Sequence, residues 1–76
     1  MYSYNIAKNA DKKAFDRACV LIEMNVKDAE KGKLLEDVDG TLIQIYNALG
    51  RKIKVYNDTE VDAVYIDSEV DLKNII

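Results

Sequence analysis

The chain has 76 residues, of which 49% are hydrophobic and 33% are charged, with one cysteine, no histidine and no tryptophan. This composition indicates one globular domain, residues 1–76, near the lower size limit for a core that folds without disulfides or metals. It excludes an intramolecular disulfide, the usual zinc sites, and Ser-His or Cys-His nucleophiles. We therefore predict no catalytic residue, no metal site and no cofactor. Without a signal-peptide-like or long apolar segment, the chain is expected to be cytoplasmic, with no membrane partner.

The net charge of −3 is distributed unevenly along the chain. Residues 1–56 carry ten Lys or Arg and eight Asp or Glu, whereas residues 57–76 carry six acidic side chains against Lys73 alone. An acidic last quarter disfavours contact with a phosphate backbone, so we predict no nucleic-acid partner. It favours a basic protein partner or a plain solvated surface.

The first third of the chain predicts a strand and then the main helix. Residues 2–6 can form a short strand, and residues 10–24 show helical periodicity after Asn9 or Asp11 as the N-cap. Asn25 could end the helix in a left-handed conformation. The expected apolar stripe consists of Phe15, Ala18, Cys19 and Ile22, widened by Ala14, Val20 and Leu21. Cys19 is therefore expected to be a buried thiol.

Residues 26–33 are interpreted as a connection, and the chain from Leu34 onward as a meander of antiparallel strands. Asp39-Gly40 predicts a two-residue type I′ hairpin turn, because both positions of that turn need positive φ. This turn would pair Val38 with Thr41 and Leu34 with Ile45. The last strand is expected over residues 61–66, with either Val61, Ala63 and Tyr65 or Val64 and Ile66 facing inward.

The next hairpin is expected to have a three-residue loop, Ala48-Leu49-Gly50, with Gly50 at positive φ. This loop pairs Ile45 with Ile53 and Ile43 with Val55, whereas a four-residue loop would set both isoleucines of the first strand against lysines. Since a one-residue slip exchanges the faces of a strand, we expect all four aliphatic residues to face the helix. The predicted fold class is α+β, with one main helix packed on a small, mostly antiparallel sheet in the order β-α-β-β-β.

The segment 41–53 also allows a helical interpretation. Leu42, Ile45, Tyr46 and Leu49 fit helical spacing, and the segment resembles the last helix and following residues of repressor-like helix-turn-helix domains. Strands are favoured because Thr, Ile and Tyr are enriched in them and an Asp-Gly turn precedes.

Residues 37–42, Asp-Val-Asp-Gly-Thr-Leu, resemble the first motif of the haloacid-dehalogenase-like phosphatases. The resemblance implies Asp37 as the nucleophile, Asp39 as the general acid/base and Mg²⁺ between them. In that family the motif follows a buried apolar strand of a parallel sheet, whereas here Glu36 precedes it. The remaining chain is also too short for the several βαβ units that carry the later motifs. We interpret the motif as a hairpin turn and keep a magnesium-dependent phosphatase-like fragment as an alternative.

In the predicted register, the sheet face away from the helix carries Tyr46, Lys52, Lys54 and Tyr56, together with Leu42 and Gln44, and Tyr65 if the last strand presents it. Tyrosines among lysines on an uncovered face suit a protein interface. Three acidic residues, Asp58, Glu60 and Asp62, flank the turn before the last strand and form a second candidate surface. We predict a small non-catalytic protein-binding or regulatory module whose partner is another protein or a second copy in a homodimer. The alternative is an acidic inhibitor or antitoxin-like protein that docks on a basic site.

Overall fold

The computed structural model describes all 76 residues and has one helix packed on one face of a five-stranded antiparallel sheet. The elements are β1 (Tyr2–Ala7), α1 (Lys12–Asn25), β2 (Ala29–Glu36), β3 (Leu42–Ala48), β4 (Arg51–Asp58) and β5 (Ala63–Ser68). The strand order is β1-β5-β4-β3-β2, so β1 and β2 are the two edges and α1 crosses from one edge to the other. The α+β class is confirmed, with four strands after the helix rather than three. The helical alternative for residues 41–53 is wrong.

The helix begins and packs largely as its sequence predicts. Asp11 is the N-cap, and its carboxylate accepts a hydrogen bond from the Lys13 N–H at 2.9 Å. The buried stripe consists of Ala14, Phe15, Ala18, Cys19 and Ile22. Val20 and Leu21 are exposed, because α1 lies over the middle of the sheet, closest to β4, and buries only a narrow face. Asn25 does not adopt positive φ, and the extended residue Val26 caps the helix.

The turn between β3 and β4 is one residue shorter than predicted. Ala48 pairs with Arg51, so only Leu49 and Gly50 lie between the strands. Both have positive φ, 52° and 83°, as a type I′ turn requires. The predicted positive φ of Gly50 is confirmed, and the predicted three-residue loop is wrong.

The turn between β2 and β3 is one residue longer than predicted. The Gly40 N–H donates to the Asp37 carbonyl at 3.0 Å, and the Asp37 N–H donates to the Thr41 carbonyl at 2.9 Å. Gly40 has φ 91°, but Asp39 has no positive φ. This is a three-residue hairpin loop with glycine in its last position. Leu34 consequently pairs with Gln44 rather than with Ile45.

These two turns reverse the predicted facing of β3. Tyr46 pairs with Ile53, while Ile43 and Ile45 pair with Tyr56 and Lys54. The helix-facing side of β3 therefore consists of Leu42, Gln44, Tyr46 and Ala48, all of which are buried. Ile53 and Val55 face the helix as predicted, but Ile43 and Ile45 face away from it.

Tyr46 and Gln44 enter the core because their polar groups find partners. The Tyr46 hydroxyl donates to the Glu23 carboxylate on α1. The Gln44 amide donates to the carbonyls of Gly32 and Ile45 at 2.8 Å and 3.2 Å. The register shift of β2 between Lys31 and Leu34 places an extra residue in that strand, and the Gln44 side chain lies against this bulge. No buried side-chain nitrogen or oxygen is left without a partner.

The remaining predictions for the ends of the strands are partly corrected. β2 begins at Ala29, inside the segment interpreted as a connection, and β5 covers residues 63–68 rather than 61–66. Val64 and Ile66 face the core, which resolves the facing of β5 and places Tyr65 on the opposite side. Cys19 is buried, as expected.

Candidate functional site

The open face is the side of the sheet that faces away from α1. Its central side chains are Ile43, Ile45, Lys52, Lys54, Tyr56, Asp58, Tyr65 and Asp67. No other element of the chain packs on this side, because the only helix and the buried residue Leu72 of the C-terminal segment belong to the opposite layer.

An apolar row crosses the open face perpendicular to the strands. Leu35 pairs with Ile43, Ile43 with Tyr56, and Tyr56 with Tyr65, so one side chain from each of four adjacent strands stands at the same level. Ile45 lies one level away on β3 and widens the row. Leu35 is 42% exposed, and the other members are half-buried by their neighbours alone. The register of three strand pairs thus collects apolar side chains that are scattered in the sequence.

The two tyrosines of the row form an ordered pair. The rings of Tyr56 and Tyr65 are stacked, with centroids 4.6 Å apart and planes 15° apart. The Tyr65 hydroxyl donates to the Asp58 carboxylate at 3.0 Å. Burial and this hydrogen bond raise the pKa of Tyr65 to about 12. Burial, followed by the charges of Asp67 and Asp58, also raises the pKa of Tyr56. Contacts within the chain therefore hold both rings in place.

Charged side chains lie next to the apolar row. Lys54 on β4 stands beside Asp67 on β5, and Lys52 follows on the same side of β4. Asp67 accepts a hydrogen bond from the Ser3 hydroxyl at 2.8 Å. The ion pairs of the protein are Lys12–Asp16 and Lys31–Glu23, so neither lysine of β4 has an acidic partner within 4.0 Å. Both ammonium groups are available to groups outside the chain.

The predicted interface residues separate into two sets. Lys52, Lys54, Tyr56 and Tyr65 lie on the open face, whereas Tyr46 is fully buried and cannot contact a partner of the folded chain. Leu42 and Gln44 are also buried. The prediction missed Ile43, Ile45 and Leu35. The signal that could have found the two isoleucines is Leu49-Gly50, since a two-residue loop there places them beside the β4 residues of the open face. Leu35 joins them through the β2–β3 hairpin, where it pairs with Ile43.

Two of the three acidic residues near the last turn are engaged inside the chain. The Asp62 carboxylate accepts hydrogen bonds from the Ala10 N–H at 2.8 Å and the Asn9 amide at 2.9 Å, which lower its pKa. The Asp58 carboxylate accepts from Tyr65 and from the N–H groups of the following turn. Of these three residues, only Glu60 is exposed with a carboxylate that accepts no hydrogen bond from the chain. Asp62 thus fastens the β4–β5 turn to the start of α1.

The phosphatase-like segment forms the β2–β3 hairpin loop. Asp39 accepts from the Thr41 N–H at 2.9 Å, and this bond is the main cause of its lowered pKa. Asp37 accepts from the adjacent Val38 N–H at 2.7 Å. The segment connects antiparallel strands, so the buried parallel strand that the resemblance implies is absent. No three acidic or cysteine side chains converge in a way that could hold a metal ion.

Neither the length and polarity of the helix nor a comparison with known proteins assigns a function. The single helix of 14 residues is too short and too polar to cross a membrane. No protein-family model matches the chain, and no curated protein and no solved structure is significantly similar to it.

Proposed function

We propose that the chain is a small non-catalytic protein-binding module that binds through the open face of its sheet. The observation that carries the proposal is the apolar row of Leu35, Ile43, Tyr56 and Tyr65, which is continuous over four strands and covered by nothing else in the chain. A sheet face that packs on water is normally polar.

The composition of the open face supports a protein partner. Tyrosine and aliphatic side chains at the centre, with charged side chains beside them, match the usual arrangement of an apolar interface core and a polar rim. Because the Tyr56 and Tyr65 rings are already stacked, binding would require little additional ordering of these side chains.

The two alternatives have less support. An acidic inhibitor needs carboxylates free to meet basic groups, but those of Asp58 and Asp62 accept hydrogen bonds from the chain itself. A phosphatase-like fragment needs Asp37 and Asp39 free to bind a metal and a phosphate, yet both carboxylates accept bonds within their own hairpin loop.

Site-specific photo-crosslinking in cells tests the proposal. A benzophenone amino acid replaces Ile45 on the open face or, as the control, Met24, which is 78% exposed on the outer side of α1. We expect discrete covalent adducts from position 45 and none of the same mass from position 24, with circular dichroism confirming that both proteins fold. Absence of adducts at position 45, or the same adducts at both positions, would refute binding through the open face.

A further inference from the structure

Charges of opposite sign occupy neighbouring strands of the open face. Lys52 and Lys54 lie on β4, whereas Asp67 lies on β5 and Glu69 directly follows that strand. Lys54 is in register with Asp67. The backbone N–H of Lys52 donates to the Glu69 carboxylate at 2.7 Å, and the Glu69 N–H donates to the Lys52 carbonyl, so these residues are also at one level. A basic column thus runs beside an acidic column.

This arrangement is complementary to itself. Consider two copies with their open faces toward each other and a two-fold axis between the sheets, parallel to the strands and centred between β4 and β5. This axis places β4 of one copy opposite β5 of the second copy, without any shift along the strands. Lys54 then faces Asp67 of the second copy, and the same contact occurs twice. The stacked pair of Tyr56 and Tyr65 faces the same pair of the second copy.

From this geometry we infer that the occupant of the open face is a second copy of this chain, in a face-to-face homodimer with Lys54 opposite Asp67. The inference rests on the proposed function, since it names the partner of the same surface. The two sheets pack with nearly aligned strands, as in β-sandwiches, and the stacked pair of Tyr56 and Tyr65 lies at the centre of the interface. Ile43 then lies over β1 of the second copy, and Leu35 lies beyond that edge strand. Lys54 has no ion-pair partner within its own chain, so a partner's carboxylate would satisfy a free charge.

The size of the open face agrees with a modest dimer. With the axis between β4 and β5, four strands of each sheet overlap. Four strands about 4.8 Å apart and about 20 Å long present roughly 400 Å², so two copies would bury on the order of 800 Å² in total. This is smaller than a standard interface and typical of weak complexes, so dissociation in the micromolar range is expected.

Edge-to-edge pairing through β1 is the rival mode of self-association. The six residues of β1 carry no charge, whereas β2, the other edge, carries four charged residues in eight. Uncharged edges are open to pairing with another strand. Edge pairing would place Lys54 and Asp67 outside the contact, so charge changes at these positions separate the two modes.

The test measures mass by sedimentation equilibrium for the wild type, Lys54→Asp, Asp67→Lys and an equimolar mixture of the two variants. We expect a wild-type dimer and, in each variant, dissociation constants raised by more than roughly tenfold, because like charges meet across the axis. The mixture should regain the dimer as a heterodimer, since the new carboxylate of one variant then faces the new ammonium group of the other. Mixing cannot repair repulsion within one chain, so recovery would identify the contact between copies.

Lys73→Asp is the matched control, since it makes the same charge change in the C-terminal segment and should leave the dimer intact. If a charge reversal unfolds the chain, Lys54→Gln and Asp67→Asn replace it and should each weaken the dimer. Variants that dimerise like the wild type, or a mixture that stays monomeric, would overturn the inference. A monomeric wild type at about 500 μM, well above the expected range, would do so as well. If Ile45 crosslinks only to foreign proteins, the proposed function stands and the homodimer is wrong.

Discussion

Leu49 is the residue whose replacement tests the register of the sheet most directly. It is the first of the two residues in the β3–β4 turn and has φ 52°, a left-handed conformation that an L-amino acid with a bulky side chain disfavours. Leu49→Asn creates Asn-Gly, the preferred sequence of a type I′ turn, without changing the length of the loop. The Leu49 side chain is 81% exposed, so little packing is lost.

The free energy gained by relieving the unfavourable φ of residue 49 should exceed the free energy lost with the contacts of the Leu49 side chain. Left-handed φ costs a non-glycine residue such as leucine about 1–2 kcal/mol, from which asparagine is largely exempt, so we expect a gain of about 1 kcal/mol. For a domain of this size, that gain corresponds to a rise in Tm of about 4–8 °C. Gly50→Ala should have the opposite effect, a loss of about 1 kcal/mol. No heavy atom lies within 4 Å of the added Cβ, so this loss is purely conformational.

Urea unfolding followed by circular dichroism measures both variants, and the slope with denaturant should stay unchanged. A neutral or destabilising Leu49→Asn would refute the two-residue turn, because in a three-residue loop residue 49 is not left-handed. Gly50→Ala destabilises in either loop and therefore serves as the positive control. Loss of the two-residue turn would return Ile43 and Ile45 to the helix side and remove the apolar row.

Three further predictions concern the core, the loss of stability at acidic pH and the bulge in β2. Tyr46→Phe removes the hydroxyl that donates to Glu23 and should lower the unfolding free energy by about 1–2 kcal/mol, and an unchanged value would contradict a stabilising hydrogen bond between these residues. The lowered pKa of Asp62 gives stability that is present above about pH 4 and lost as pH falls through that lowered pKa. The unfolding free energy of Asp62→Asn should therefore fall furthest below that of the wild type at neutral pH, and the two values should converge in acid. The exposed control Glu60→Gln should not show this convergence, and a difference for Asp62→Asn that does not change with pH would argue against the prediction. Gly32→Ala places a Cβ 2.9 Å from a β3 backbone oxygen and should cost about 1–3 kcal/mol by urea unfolding, whereas no loss would mean that β2 has no bulge at that point.

The elements that depend on local patterns could be predicted from the sequence. The helical stripe of Phe15, Ala18, Cys19 and Ile22 repeats with the helical period, and Asp11 precedes it as an N-cap, so α1 follows from residues close together in the chain. The positions of the two glycine turns are local in the same sense, since few other residues adopt positive φ at low cost. The α+β class follows from these signals together.

The β3 side chains of the open face could not be predicted, because their facing depends on a register that differs from its competitor by one residue at each turn. Two- and three-residue loops were both compatible with Asp39-Gly40 and with Leu49-Gly50, and exchanging them turns every side chain of β3 to the other side. Hydrophobicity alone favoured Ile43 and Ile45 for the core. The sequence determined where the helix and turns lie, whereas the tertiary structure decided which face of β3 is buried. Tyr46 can enter the core because its hydroxyl reaches Glu23, a partner that lies on another element and is not visible in any local pattern.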